Sequence, residues 1–178
     1  MNIDKIPAGK NPPEDINVVI EITGGAAGGA PVKYELDKDS GAIFVDRVVN
    51  TPMFYPCNYG FVPNTLHADG DPTDVLVICD FPLQPGVVIK CRPIGVLKME
   101  DDGGMDDKLI AVPLAKVDPF QAHIKDLDDV PQKTRDRIKH FFEHYKDLEA
   151  GKWVKVIGWG HKEEAESILK TSLEAVKK

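Results

Sequence analysis

Positive charge is in deficit in this chain of 178 residues: 22 Lys and Arg stand against 29 Asp and Glu, a formal net charge of −7. A balance of that sign argues against a surface for nucleic acid or for an anionic membrane, while leaving room for a local basic pocket. Long apolar runs are missing as well. None approaches the roughly 18 residues of a membrane span. The start Met1-Asn2-Ile3-Asp4-Lys5 has no hydrophobic signal region, so a cytoplasmic location is expected. Cysteine is scarce: Cys57, Cys79 and Cys91 are odd in number and form no Cys-x-x-Cys pair, which suggests neither a disulfide framework nor a zinc site. What is present, 42% hydrophobic and 29% charged residues, is ordinary for a globular protein, and one domain over residues 1–178 is the simplest reading.

The most informative stretch is His67-Ala68-Asp69-Gly70-Asp71-Pro72-Thr73-Asp74-Val75. Pro72 fixes its own φ and pushes Asp71 out of the helical region, so a turn is expected here and not a helix start. In an extended approach Asp69 and Asp71 point to one side, and the bend at Pro72 brings Asp74 round to join them. No basic residue of the stretch neutralises these carboxylates, and held that close they repel one another unless a cation sits between them. Hard oxygen ligands suit Mg²⁺, Mn²⁺ or Ca²⁺ better than Zn²⁺. An acidic surface hairpin explains the same residues equally well, since Asp-Gly and Asp-Pro are ordinary turn pairs. An EF-hand does not: counted from Asp69, the sixth position is Asp74 where Gly is required, and the twelfth is Asp80, not Glu.

The rest of the chain reads as short strands followed by two late helices. Alternation predicts strands over 16–23, 31–37 and 42–49, a strand over 74–80, a long bent strand over 87–99 interrupted at Pro93 and Gly95, and a short one over 152–159. Residues 24–30, rich in Gly and Ala, match neither the P-loop nor the dinucleotide spacing and read as a flexible hairpin tip. The aromatic-rich 51–62 reads as irregular. On the third strand Arg47 shares a face with Ile43, Val45 and Val49, and needs either a structural carboxylate or a bound anion as partner. A second acidic loop, 100–108, connects as a hairpin into Leu109-Ile110-Ala111-Val112. Apolar stripes predict helices over about 131–148 (Ile138, Phe141, Phe142, Tyr145, Leu148) and 163–177 (Ile168, Leu169, Leu173, Val176). Strands first and helices last indicate an α+β fold, a small closed barrel with the two main helices packed outside.

At this point the chain resembles a known family. Asp69-Gly70-Asp71-Pro72-Thr73-Asp74-Val75 is similar to the signature of family I soluble inorganic pyrophosphatases. Val19-Ile20-Glu21-Ile22, Pro31-Val32-Lys33-Tyr34-Glu35, Phe44-Val45-Asp46-Arg47, Tyr55-Pro56-Cys57-Asn58-Tyr59-Gly60, Lys98 to Lys108 and Phe141-Phe142-Glu143-His144-Tyr145-Lys146-Asp147 resemble family segments in the same order. Two departures stand out: Thr73 occupies a position that is usually aliphatic, and the loop over 24–30 is longer than usual. The resemblance implies a five-stranded barrel of the oligonucleotide/oligosaccharide-binding type, a bacterial-type homohexamer, and Mg²⁺-dependent hydrolysis of diphosphate to two orthophosphates. Several Mg²⁺ ions per site are implied, with Mn²⁺ as a substitute and Ca²⁺ as an inhibitor. It further implies Asp69, Asp74, Asp101 and Asp106 as metal ligands, with Glu21 and Glu35 near the metals. Asp71 is the implied general base, Lys33, Arg47, Tyr145 and Lys146 the phosphate clamp, and Tyr59 and Lys108 lie beside it. Neither nucleic acid nor membrane is implied as a partner.

The chemistry suits those roles. Diphosphate repels an anionic nucleophile, so cations must neutralise its oxygens, most of all those gaining charge as the bridge breaks. Arg47 offers a planar fork to phosphate oxygens, whereas Lys33 and Lys146 act as mobile point charges. Two rivals remain: a non-catalytic nucleic-acid-binding module on the same barrel, which needs a basic groove with stacking aromatics, and a hydrolase of another phosphoanhydride.

Overall fold

The computed structural model describes residues 2–25 and 31–176. Its strands are β1 (Ile16–Ile22), β2 (Val32–Leu36), β3 (Ile43–Val48), β4 (Asn58–Phe61), β5 (Asp74–Val77), β6 (Val88–Asp101), β7 (Gly104–Met105), β8 (Lys108–Pro113) and β9 (Val154–His161). The helices are α1 (Gln132–His144) and α2 (Lys162–Ala175). The fold is α+β, as expected, but the small closed barrel is replaced by a barrel-like ring that is not a closed barrel, because the long β6 leaves it to pair with β9. Most of the loop over 24–30 lies outside the described residues.

The ladders run round a ring of five strands. β1 pairs with β4, β4 with β5, β5 in parallel with β8, β8 with β6, and β6 returns to β1. The 14-residue β6 makes that return possible by bending. Its first residues pair with β1, its middle with β8, and its last seven with β9 outside the ring. The β8 ladder slips between Pro93 and Gly95, the two residues that break the pattern in the sequence, because Pro lacks a donor and Gly tolerates the close approach.

Strand β4 corrects the sequence reading of 51–62 as wholly irregular. Asn58 and Gly60 have poor intrinsic strand preference, yet the segment Asn58–Phe61 is flanked by β1 and β5. Gly60 is needed there: a Cβ would fall 1.8 Å from the Val19 carbonyl oxygen.

Alternation along the strands feeds two cores. Leu76, Ile110, Val112, Leu97 and Met99 pack with Ile138, Phe141 and Phe142 of α1. Val75, Val77, Leu109, Ala111 and Val96 pack with Ala165 and Leu169 of α2. Both faces of these strands are therefore covered, which is why β1 is buried along its whole length. Burying a Leu or Ile of this kind stabilises by about 1.5–3 kcal/mol.

Helix α1 stops earlier than its apolar stripe suggests. After His144 the bonds tighten, with the Asp147 N–H donating to His144 O and the Glu149 N–H to Lys146 O. Leu148, expected on the buried stripe, is 64% exposed. Val176 of the second stripe is likewise exposed. Tyr145 still caps the helix, its N–H donating to Phe141 O at 2.8 Å, and Lys146 opens the turn that follows. The apolar face expected on β3 forms only in part: Val49 is buried and Ile43 packs against the Leu36–Phe61 cluster, but Val45 between them is exposed. Among the described residues the strand pairs with β2 alone, and Phe44 and Val48 on its other face are exposed too.

Candidate active site

A cavity of about 1060 Å³ opens where the ring, the β2–β3 hairpin and the turn after α1 meet. Each element delivers its side chains by position. β1 contributes Glu21, β2 Lys33 and Glu35, β3 Asp46 and Arg47, and β4 Tyr59. The acidic turn contributes Asp69 and Asp71, and β5 opens with Asp74. β6 ends at Asp101, Asp106 precedes β8, β8 opens with Lys108, and Tyr145 and Lys146 follow α1. All thirteen residues singled out from the sequence line this one cavity.

The acidic turn has the expected shape. Gly70 takes φ +92°, open to Gly at no steric cost. The Asp71 N–H donates to Asp69 Oδ1 at 2.9 Å, and the His67 N–H donates to Asp71 O at 2.7 Å. These bonds leave the Asp71 carboxylate largely in solvent, whereas Asp69 and Asp74 are mostly covered.

The expectation that these carboxylates lack basic neighbours holds only along the chain. Across it, the buried Lys108 ammonium bonds both Asp74 and Asp106 and lies 5.7 Å from the centre of the Tyr59 ring. Lys146 donates to Asp101 Oδ2 at 2.7 Å, and Lys33 donates to Glu35 Oε1 at 2.5 Å with Asp46 Oδ2 at 3.5 Å. Arg47 Nη1 is 3.8 Å from Glu149 Oε2. Of the two partners foreseen for Arg47, the structural carboxylate is present but stands beyond hydrogen-bond distance, and the guanidinium borders the cavity.

Even so, carboxylate is in excess. Among the described residues, ten Asp and Glu side chains line the cavity against five Lys and Arg. Burial pushes the Glu21 carboxyl up to about 7; the Leu36 N–H opposes this, and the charges of Asp74 and Glu35 add to it. Burial also raises Asp106, with Lys108 pulling the other way. For Asp101 burial works toward a higher value, but the bond from Lys146 and the Gly103 N–H outweigh it and the carboxyl is held low. Burial pulls Lys108 down, yet Asp74 and Asp106 more than compensate, so its ammonium persists at any ordinary pH. Burial keeps the Tyr59 and Tyr145 phenols protonated, hence available as hydrogen-bond donors.

The surplus of hard oxygen donors, with no Cys or His in the wall, fits divalent cations of the Mg²⁺ class. Among the described residues the group whose ligand atoms already sit within 4.8 Å of one another is Asp126, Asp128 and His161, outside this cavity. It is paired otherwise: His161 Nδ1 lies 2.6 Å from Asp126 Oδ1, and Arg135 donates to Asp128 at 3.2 Å. In the cavity, by contrast, carboxylates outnumber cationic side chains two to one, so the negative charge is only partly offset. Among the wall residues not singled out from the sequence are Asp37, Lys38 and Asp39 of the β2–β3 turn, Asp46 and Tyr55. Asp46 had a signal, its place beside Arg47 in the Phe44–Arg47 segment; Tyr55 reads as an ordinary core ring.

The comparisons with known proteins agree. A family model described as inorganic pyrophosphatase matches residues 18–177. Inorganic pyrophosphatases from Xanthomonas campestris and Escherichia coli are 59% and 57% identical, the first over 98% of this chain and 96% of its own length, the second over 99% of both. The crystal structure of the Thermus thermophilus inorganic pyrophosphatase superposes with a TM-score of 0.93 at 44% identity, covering 100% of both chains. That of the Helicobacter pylori enzyme gives 0.92 at 50% identity, covering 98% of this chain and 99% of that one. Fold and site thus define a hydrolase of the phosphoanhydride class. The chain belongs to family I of the soluble inorganic pyrophosphatases.

Proposed function

We propose that this chain hydrolyses inorganic diphosphate to two orthophosphates in a Mg²⁺-dependent reaction. The observation that carries the reading is the convergence of ten carboxylates and five cationic side chains on one cavity. Asp69, Asp74, Asp101 and Asp106 hold the cations, with Glu21 and Glu35 beside them. Bound there, Mg²⁺ neutralises phosphate oxygens and lowers the pKa of the attacking water, roles that Mn²⁺ also fills and Ca²⁺ disturbs.

The chain's own groups do the remainder. Lys33, Arg47 and Lys146 bind the diphosphate oxygens, and the Tyr145 O–H donates to them. Tyr59 and Lys108 stand beside this clamp, with Lys108 fixing Asp74 and Asp106 relative to each other. Asp71, solvent-facing and committed to no strong ion pair, takes the proton of the attacking water. Oxygen attacks phosphorus in line, the bridging P–O bond breaks, and its electron pair leaves with the second phosphate. The same reading takes residues 1–178 as a single domain, the five-strand ring as similar to the oligonucleotide/oligosaccharide-binding type with the two helices outside, and the working enzyme as a cytoplasmic homohexamer. Among the described residues no helix is long and apolar enough to cross a membrane.

Phosphate release from diphosphate, with Mg²⁺ and with Mg²⁺ chelated, tests the proposal, with ATP as control substrate. Rapid release from diphosphate only when Mg²⁺ is present is expected. Equal rates on ATP, or full activity under chelation, would refute it.

A further inference from the structure

Arg47 and Glu149 form an unfinished pair. Arg47 lines the cavity while Glu149 stands outside its wall. Their closest approach, 3.8 Å from Nη1 to Oε2, is too long for a hydrogen bond. On each side an atom is orphaned: Arg47 Nε and Glu149 Oε1 are both buried without a hydrogen-bond partner. Leaving charged groups buried and unbonded is costly, and a fold tolerates it chiefly where the groups have a further use.

The backbone around Glu149 is firmly held. Its N–H donates to Lys146 O at 2.9 Å, and its carbonyl accepts from the Lys152 N–H at 3.2 Å. Next to it, the Leu148 carbonyl accepts from Asn50 Nδ2 at 3.1 Å. Asn50 lies three residues beyond Arg47, so the end of β3 and the turn after α1 are tied twice, once by Asn50 and once by the Arg47–Glu149 approach. That turn also carries Tyr145 and Lys146. Closing the approach to an ordinary charge-assisted distance of about 2.8 Å takes about 1 Å of movement, within reach of two long side chains.

We propose that Glu149 is a positioning residue for Arg47. Its carboxylate holds one edge of the guanidinium and leaves the remaining N–H groups aimed into the cavity. It thereby locks the arginine of β3 to the turn bearing Tyr145 and Lys146. The inference rests on the reading that Arg47 binds diphosphate. Glu149 itself touches no reacting atom, so its removal weakens substrate binding and leaves the chemical step nearly intact.

Steady-state hydrolysis of diphosphate at saturating Mg²⁺ tests this on the wild type, Glu149→Ala, Glu149→Gln, Arg47→Ala and the Arg47→Ala/Glu149→Ala double variant. Glu149→Ala is expected to raise KM about tenfold, the scale of one charge-assisted hydrogen bond, with kcat changed far less. Glu149→Gln keeps an acceptor oxygen and should recover most of the loss. In the Arg47→Ala background the second substitution should change KM by less than about twofold, because its target is gone. Should Glu149→Ala fail to fold, Glu149→Asp supplies the same readout: it keeps the charge, falls one methylene short, and should show the raised KM. An unchanged KM in the Glu149 variants, beside a raised KM in Arg47→Ala, overturns the inference and leaves Arg47 as a substrate ligand. The same KM rise from Glu149→Ala with and without Arg47 also overturns it, showing a merely structural role. If Arg47→Ala itself leaves KM unchanged, the reading of Arg47 fails and this inference falls with it.

Discussion

Replacing Thr73 by Val should stabilise the chain. Thr73 is fully buried, and its hydroxyl Oγ1 has no hydrogen-bond partner. Its backbone needs no help from that hydroxyl. The Thr73 N–H donates to Thr65 Oγ1 at 2.9 Å, and the Thr73 carbonyl accepts from the Val62 N–H at 2.9 Å. Thr65 is anchored in turn by its bond to Val62 O at 2.6 Å. Valine has the same β-branched shape, so backbone and rotamer preferences carry over. The gain is the desolvation penalty of an unpaired polar group, about 1–3 kcal/mol, and the lower end is the prudent figure because a buried hydroxyl relaxes toward weak acceptors. At about 2–4 °C per kcal/mol for a chain of this size, the melting temperature should rise by about 2–4 °C or more. Urea denaturation supplies the check, with the midpoint rising at unchanged slope. Thr73→Ala controls for packing: it also removes the hydroxyl but opens a void, and should not stabilise. A melting temperature lowered by Thr73→Val would refute the reasoning, because it would mean the hydroxyl makes a bond that matters.

Further outcomes follow from the cavity. Asp71→Asn should lower kcat by about 10²–10⁴, the scale of a lost general base, with Mg²⁺ affinity little changed. Asp74→Asn should weaken Mg²⁺ binding first and regain rate at high Mg²⁺; the opposite pattern of rescue would exchange the two roles. Under chelation Glu21 should make stability fall between pH 4.5 and about 7, since its carboxyl is raised from 4.5 to about 7 and the folded state then holds the extra proton. Its contribution is complete below 4.5 and gone above about 7, so Glu21→Gln should raise the chelated melting temperature more at pH 8 than at pH 5. An equal rise at both would count against a buried, titrating Glu21. Mg²⁺ should raise the melting temperature by mass action, and Ca²⁺ should do so without supporting activity; full activity in Ca²⁺ alone would contradict the cation reading.

Much of the site was legible because its signals are local. Pro72 and Gly70 dictate a turn through their own φ preferences, so the three aspartates had to cluster. Pro93 and Gly95 marked the bend of β6 through a missing donor and a missing Cβ. The apolar stripes of α1 and α2 followed from helical period, and motif order supplied the rest of the cavity wall. Where the reading failed, the cause was non-local. β4 forms because β1 and β5 flank it, against the preferences of Asn58 and Gly60. β3 shows an apolar pattern that is covered only at its two ends, Ile43 and Val49, and left bare at Val45. Leu148 continues the stripe of α1 by number but sits beyond the point where the helix tightens into turns.

The sequence by itself determined the α+β order of elements, the acidic turn and the family of the chain, since each depends on dihedral preferences or on residues a few positions apart. Tertiary structure alone decided which charges meet. Lys108 reaches Asp74 from 34 residues away, Lys146 reaches Asp101 from 45, and Glu149 faces Arg47 from across the cavity wall. Coulomb energy depends on distance in space and on local burial, neither of which is written in chain order. The packing of the ring, the β2–β3 hairpin and the turn after α1 sets both, and with them which carboxylates remain uncompensated.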